Sequence, residues 1–157
     1  MMKDLLKKLQ KKSNKKGFTL VEIIVVLVIL AILAAIAVPS VLGYVNEAKE
    51  ERYIQEAHSI YVVIQTEEAK AEALTNAGET TKVDYGSGTA ATAEKKYEGT
   101  GICKKAFDMT KLQVTSISEP DGDGKYTVTW ISDDKKVITA DLTKNKDVKI
   151  TGKANQK

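Results

Sequence analysis

The longest apolar stretch of the chain lies near its start. Between Phe18 and Val38 the only polar side chains are Thr19 and Glu22. At a rise of ~1.5 Å per residue, a helix over these residues is about 31 Å long, which matches the hydrocarbon thickness of a bilayer. The pattern therefore predicts a membrane-spanning helix over residues 18–38.

Positive charge is concentrated before this stretch. Residues 1–17 contain seven lysines and one aspartate, and no comparable cluster follows Val38 directly. Because basic flanks stay on the cytoplasmic side, we expect the N-terminus in the cytoplasm and the remainder outside. Without residues 1–17 the chain is mildly acidic, although its net charge as a whole is +3. That balance argues against general nucleic-acid binding.

Glu22 is the only ionisable side chain in the apolar stretch. An unpaired carboxylate in the middle of a membrane costs about 3 kcal/mol, and less near an interface. The Ile, Leu and Val residues from Ile23 to Val38 outweigh this cost, so we expect insertion with a charge that needs a partner. The partner is either local (lipid headgroups or Lys16) or a group on another copy of the chain.

The motif Gly17-Phe18-Thr19-Leu20-Val21-Glu22 follows a lysine-rich leader and precedes an apolar run that ends at Pro39. Over about residues 15–40, this arrangement closely resembles the N-terminal signature of type IV prepilins and pseudopilins. The resemblance implies that a prepilin peptidase cuts between Gly17 and Phe18 and that the same enzyme N-methylates Phe18. It also implies that Glu22 meets the Phe18 amine of a neighbouring subunit.

Two details of the apolar stretch over residues 18–38, which we call the anchor, qualify this interpretation. Ala31 stands where many pilins carry a glycine, which weakens the expectation of local unwinding before Pro39. The residues Ala35-Ile36-Ala37 also form a small-x-small site, so ordinary signal-peptide cleavage after Ala37 is an alternative. Against that alternative, the apolar stretch is longer than a usual signal sequence and contains Glu22.

Pro39 is expected to kink or locally open the helix because it lacks a backbone donor. Residues 39–75 then predict an amphipathic helix, since apolar side chains recur at helical spacing. Its predicted inner face consists of Tyr53, Ala57, Ile60, Ile64, Ala71 and Leu74, widened by Ile54 and Tyr61. Its charged residues are predicted to be mainly a solvated surface: Glu47, Lys49, Glu50, Glu51, Arg52 and Glu56.

Residues 76–157 predict a globular head. Residues 76–101 indicate an irregular connection anchored by Val83, Tyr85 and Tyr97, and in pilins such a region is usually part of the exposed, variable face. Alternating segments that start near Leu112, Tyr126, Val137 and Val148 predict four antiparallel strands. The expected turns are Pro120–Gly124, Asp133–Lys136 and Asn145–Asp147. The predicted fold is therefore α+β, with a long N-terminal helix packed on a small four-stranded antiparallel sheet.

Few residues indicate chemistry, and we expect no enzyme and no cofactor. His58 is the only histidine, and no nucleophile with a paired base or phosphate-binding glycine loop is present. Asp121 and Asp123 resemble part of a calcium loop that lacks its closing glutamate, so a plain hairpin turn is the favoured interpretation.

Cys103 is the only cysteine, so it forms no disulfide within the chain. We expect it to be a buried small hydrophobe or an inert loop thiol, with an intermolecular link as a lesser alternative. Many pilins of double-membraned bacteria close a C-terminal loop with a disulfide, so the resemblance together with the single cysteine favours a Gram-positive type of subunit. A basic C-terminal run predicts a solvated sheet edge, with binding of DNA or another polyanion as the lesser alternative. It comprises Lys144, Lys146, Lys149, Lys153 and Lys157.

Together these features predict the structural subunit of an extracellular type IV pilus, held in the cytoplasmic membrane before assembly. Ala31, Ala34, Ala35 and Ala37 would let copies approach closely. The implied partners are other copies, the peptidase/methyltransferase, an assembly platform protein, a separate ATPase and the lipid bilayer. Alternatives are a pseudopilin of a type II secretion or competence DNA-uptake system, and a membrane-tethered binding module that does not polymerise.

Overall fold

The computed structural model describes residues 17–144 and 147–156. Within these residues, two helices and six strands follow one another: α1 (Leu20–Asn76), β1 (Gly88–Thr89), β2 (Glu98–Gly99), α2 (Gly101–Thr110), β3 (Gln113–Ile117), β4 (Tyr126–Ile131), β5 (Lys136–Leu142) and β6 (Val148–Asn155). The chain divides into two units, Met1–Asn46 and Glu47–Lys157, whose boundary falls within α1. The predicted α+β class is confirmed. The leader up to Lys16 and most of the turn predicted at Asn145–Asp147 lie outside the described residues.

In the first unit, α1 exposes every side chain that the structure describes from Leu20 to Asn46. The helix continues through Pro39. Of the two effects expected at this proline, local opening is therefore not observed, because the missing N–H removes a single hydrogen bond while neighbouring residues keep theirs.

The second unit, which we call the head, is built on a four-stranded antiparallel meander in the order β3-β4-β5-β6. The four predicted strands are confirmed. On β4, Tyr126, Val128 and Trp130 are buried while Thr127 and Thr129 are only partly buried, as the period of two requires. Trp130 lies opposite Val114 on β3 and Ile138 on β5, so the centre of the sheet forms the centre of the core.

The head portion of α1 covers this sheet with the face that its spacing predicts. Its buried residues are Tyr53, Ala57, Ile60, Tyr61, Val63, Ile64 and Ala71. The prediction for Leu74 was wrong, because this side chain borders an open groove beside Thr81 and Lys82 and stays 43% exposed. Val63 is buried as well, although the spacing did not single it out.

Helix α2 was not predicted. It buries Ile102, Cys103 and Ala106 and ends where Lys111 adopts a left-handed backbone conformation with φ of 63°. Cys103 is fully buried in this helix, so its placement in a loop is excluded. Burial raises the pKa of the thiol to about 11, which keeps it protonated at neutral pH. Cys103 therefore behaves as a small hydrophobe.

The connection from Ala77 to Thr100 is largely irregular, as predicted, apart from the short pair β1 and β2. The three residues predicted to hold this connection are confirmed in that role. Val83 and Tyr85 pack against the core. The hydroxyl of Tyr97 donates to the carbonyl oxygen of Val114 at 2.6 Å. These contacts hold the connection against the head.

Strand β6 forms one edge of the sheet. Lys149 and Lys153 on this strand are exposed, as is Lys144 just before it. These three residues occupy the solvated edge that the basic run predicts, whereas Lys146 and Lys157 lie outside the described residues. Lysines on an edge strand discourage pairing with another sheet.

The core makes a direct prediction about stability. Replacing Ile64, which is fully buried, by alanine should lower the free energy of unfolding by about 2–5 kcal/mol, because a cavity remains. The control is Val62→Ala on the same helix, where the side chain is 60% exposed, and it should change stability by only about 0.5 kcal/mol. The fluorescence of Trp130, the only tryptophan, measures unfolding. Equal effects of the two substitutions would contradict the packing of α1 on the sheet.

Candidate functional site

Two reciprocal hydrogen bonds join Thr19 and Glu22 at the start of α1. The backbone N–H of Glu22 donates to the hydroxyl oxygen of Thr19 at 3.2 Å. The backbone N–H of Thr19 donates to Oε2 of Glu22 at 3.5 Å. The carbonyl oxygen of Thr19 also accepts the first helical hydrogen bond, from the N–H of Ile23 at 3.2 Å. Thr19 and Glu22 therefore form a capping box.

This arrangement gives Glu22 a local partner that the sequence interpretation overlooked, although Thr-x-x-Glu before an apolar run is the spacing typical of a capping box. The carboxylate also lies in the first turn, where the helix dipole favours negative charge. However, its hydrogen bond is long, and hydrogen bonds of this type are usually near 2.9 Å. The carboxylate therefore retains the capacity to bind a stronger, cationic donor. Lys16, the local cation considered above, lies outside the described residues.

The apolar side chains around this cap, both just before α1 and within it, are exposed. Phe18 is 77% exposed and Ile36 is 72% exposed. Within the described residues, α1 is the one helix that is long and apolar enough to cross a membrane. Its most apolar 18-residue segment has a mean hydropathy of 3.3, and no residue of that segment is buried. This finding is consistent with membrane anchoring.

The structure places all predicted processing and assembly residues in this first unit. Gly17, Phe18 and Thr19 precede the helix, and Glu22 and Pro39 lie within it. Ala34 and Ala35 lie three and four positions after Ala31 and so share one exposed side of the helix with it. Their roles in cleavage, methylation and packing stay predictions.

The turn at Asp121 is a hairpin turn. Oδ1 of Asp121 accepts hydrogen bonds from the N–H of Asp123 at 3.0 Å and the N–H of Lys125 at 2.9 Å. The backbone hydrogen bond from Lys125, together with the weaker effect of the one from Asp123, holds the pKa of Asp121 below its ordinary value, although slight desolvation acts in the opposite direction. Among the described residues, no group of three or more His, Cys, Asp or Glu side chains is placed to hold a metal ion.

Two of the six charged residues expected to be a solvated surface, Arg52 and Glu56, instead form a network with the sheet, whereas Glu47, Glu50 and Glu51 are exposed as expected. Glu56 accepts hydrogen bonds from Nε1 of Trp130 and from the hydroxyl of Ser132, both at 2.7 Å. Arg52 forms an ion pair with Asp134 at 3.1 Å, and the hydroxyl of Tyr53 donates to Asp134 at 2.7 Å. The sequence could not show this, because the partners lie on the β4–β5 hairpin, far along the chain.

A second network lies further along α1. The hydroxyls of Tyr85 and Tyr126 donate to Oε1 of Glu68 at 2.8 and 2.7 Å. Burial, reinforced by the hydrogen bonds to Glu68, raises the pKa of both tyrosines, so they remain protonated donors. On the neighbouring position, Glu67 forms ion pairs with Lys70 and Lys105. These contacts join the head portion of α1 to the connection, the sheet and α2.

Comparison with known proteins supports the identification of the first unit. The family model for the prokaryotic N-terminal methylation motif matches residues 12–38. The chain thus carries the type IV pilin-like signal, as its sequence predicts. No curated protein and no solved structure matches the chain. The motif supports a type IV pilin-like or pseudopilin protein, a structural and generally non-enzymatic kind of protein.

The head networks predict a loss of stability in acid. Burial would raise the pKa of Asp134, but Tyr53 and Arg52 outweigh it and lower the pKa. The hydrogen bonds from Lys105 and Lys70 likewise lower the pKa of Glu67. Groups with depressed pKa values stabilise the fold above their unfolded pKa and lose this contribution as the pH falls through the folded value.

We therefore expect the free energy of unfolding to fall between about pH 5 and pH 3, and to fall less steeply in Asp134→Asn. The matched control is Asp133→Asn, at the exposed neighbouring position, which should keep the slope of the parent chain. Urea unfolding followed by Trp130 fluorescence at each pH measures the slope. A slope in Asp134→Asn equal to that of the parent would show that the network does not lower this pKa.

Proposed function

We propose that this chain is the structural subunit of an extracellular type IV pilus. It is inserted in the cytoplasmic membrane with its N-terminus inside, and a prepilin peptidase cuts it between Gly17 and Phe18. The same enzyme N-methylates Phe18. A platform protein and a separate ATPase then assemble the trimmed chains into a filament. The observation that carries this proposal is the methylation motif matched over residues 12–38.

The exposed surface of the first unit supports assembly. Large apolar side chains from Phe18 to Val45 are between 43% and 77% exposed in the single chain. Exposing an apolar surface of this size to water is unfavourable, so we expect another molecule to cover it. A bilayer covers it before assembly, and identical helices cover it in the filament. The exposed positions of Ala31, Ala34 and Ala35 are suited to close approach between such helices.

The electrostatics of Glu22 give this packing a register. Cleavage before Phe18 would release an amine, which is protonated at neutral pH. A charge-assisted hydrogen bond from that ammonium group is stronger than the 3.5 Å bond from the backbone N–H of Thr19. In apolar surroundings, a carboxylate and an ammonium group offset their desolvation only when they meet. Pairing between neighbouring subunits therefore favours one axial position.

A pseudopilin shares this motif and this anchor, so it is the second candidate. The two differ in the product of assembly. Long surface fibres identify a pilin, whereas short fibres required for secretion or for DNA uptake identify a pseudopilin. Electron microscopy of parent and deletion strains distinguishes the two candidates, with mass identification of the sheared surface fraction.

Processing gives the first test of the proposal. The N-terminal sequence of the mature protein should begin at Phe18, and the mass of its first peptide should include one methyl group. A mature chain that begins at Val38 would indicate an ordinary signal peptidase instead. A chain that keeps Met1 would contradict the proposal, because the amine that Glu22 requires would never form.

Substitution of Glu22 gives the second test. Glu22→Gln can still complete a capping box but carries no charge, so it isolates the ion pair. We expect both Glu22→Gln and Glu22→Ala to insert normally and to reduce the yield of sheared fibres at least tenfold, roughly the effect of losing one charge-assisted hydrogen bond. The control is Glu51→Ala, an exposed acidic position in the head portion of α1, which should leave fibre yield intact. Undiminished fibre formation by Glu22→Gln would refute the ion-pair mechanism.

A further inference from the structure

We infer that Thr19 is the positioning residue for Glu22, and that its cap on α1 determines how efficiently subunits join. This inference rests on the proposed function and deepens it. Its basis is the bond between the Thr19 hydroxyl and the backbone N–H of Glu22, at 3.2 Å. That bond engages the backbone of Glu22 and leaves its carboxylate available.

The two bonds of the capping box therefore have different fates. When a cationic amine binds the carboxylate of Glu22, the long bond from the N–H of Thr19 is the one that is exchanged. The bond that Thr19 accepts through its hydroxyl is unaffected, because it does not involve the carboxylate. Thr19 thus holds the first turn of α1 in place both before and after subunits pair.

The position of the cap relative to the cleavage site makes this important. Phe18, whose nitrogen becomes the amine, directly precedes Thr19 and lies outside the helix. The helix begins at Leu20, so Glu22 is held by its first turn. The cap therefore marks the boundary between the amine that approaches a neighbour and the carboxylate that receives one. If the first turn unwinds, the carboxylate of Glu22 is no longer held at a fixed position along the helix axis.

No other side chain in the anchor can take over this task. Between Phe18 and Val38, Thr19 carries the only hydroxyl, and Glu22 is the only other polar residue. The first four N–H groups of a helix lack partners within it. In an apolar environment, no water is present to accept a hydrogen bond from such groups. The loss of this one acceptor should therefore destabilise the first turn of α1 more than it would in a soluble helix.

Three substitutions of Thr19 separate capping from shape and polarity. Thr19→Val keeps the branched shape but lacks the acceptor oxygen. Thr19→Ser keeps the hydroxyl, and Thr19→Asn supplies a different side chain that also caps helices well. If capping is what matters, Ser and Asn behave like the parent and Val does not.

The first measurement is amide hydrogen exchange in the full-length, uncut protein in detergent micelles. We expect the N–H of Glu22 to exchange at least about fivefold faster in Thr19→Val, since fivefold is the population change that corresponds to a typical N-cap in a soluble protein. The N–H of Leu33, in the middle of the anchor, serves as the internal control and should not change. Equal exchange at Glu22 in the parent and in Thr19→Val would overturn the capping role.

The second measurement is the yield of sheared fibres, with membrane insertion and cleavage at Phe18 checked for each variant. We expect about a fivefold loss for Thr19→Val and full yield for Thr19→Ser and Thr19→Asn. Equal yields from Val and Ser would show that the cap does not limit assembly. A parent strain without any fibres would refute the proposed function and with it the role of Thr19 in assembly, whereas the exchange experiment would still decide whether Thr19 caps α1.

Discussion

The apolar surface of residues 18–38 is the constraint on which the rest depends, because nothing else in the described chain covers it. The head, by contrast, has its own core centred on Trp130, Ile60 and Ile138. Folding of the chain is therefore complete in one unit and leaves the other dependent on external molecules. In the proposed assembly, a bilayer and then a bundle of identical helices cover this surface.

Glu22 adds direction to this non-directional surface. Burial of apolar area alone would tolerate many axial positions, since the hydrophobic effect is proportional to area and has no preferred orientation. In the proposed filament, a single carboxylate near the N-terminal end of the helix restricts those positions, because a positively charged donor offsets its desolvation only where the two groups meet. The capping box supplies a weak partner in the uncut chain. In the proposed assembly, this weak partner does not compete strongly with the ammonium group of a neighbouring Phe18.

The predictable parts of the structure are those in which one face is buried over several turns or strands. The spacing from Tyr53 to Ala71 and the alternation along β4 both follow from a single buried face, so the pattern is visible in the sequence. Helix α2 has only three buried positions, and two of them, Cys103 and Ala106, are small. Its pattern was too weak to detect. The contacts of Glu56 with Trp130 and Ser132 depend on tertiary packing, and no local spacing encodes them. The capping box is different, because its Thr-x-x-Glu spacing was legible from the sequence alone.

The networks of the head also bear on assembly. Arg52 and Glu56 lie close to the start of the head, and their partners are Trp130 on β4 and Ser132 and Asp134 in the turn between β4 and β5. Removing one partner of such a network would leave a charge without its hydrogen bonds, which is more costly than losing an exposed ion pair. The head portion of α1 is thus fixed to its sheet by polar contacts as well as by apolar packing. Under the proposed function, a head held in this way keeps its structure while the anchor exchanges lipid for protein, so the proposed assembly needs no refolding of the head.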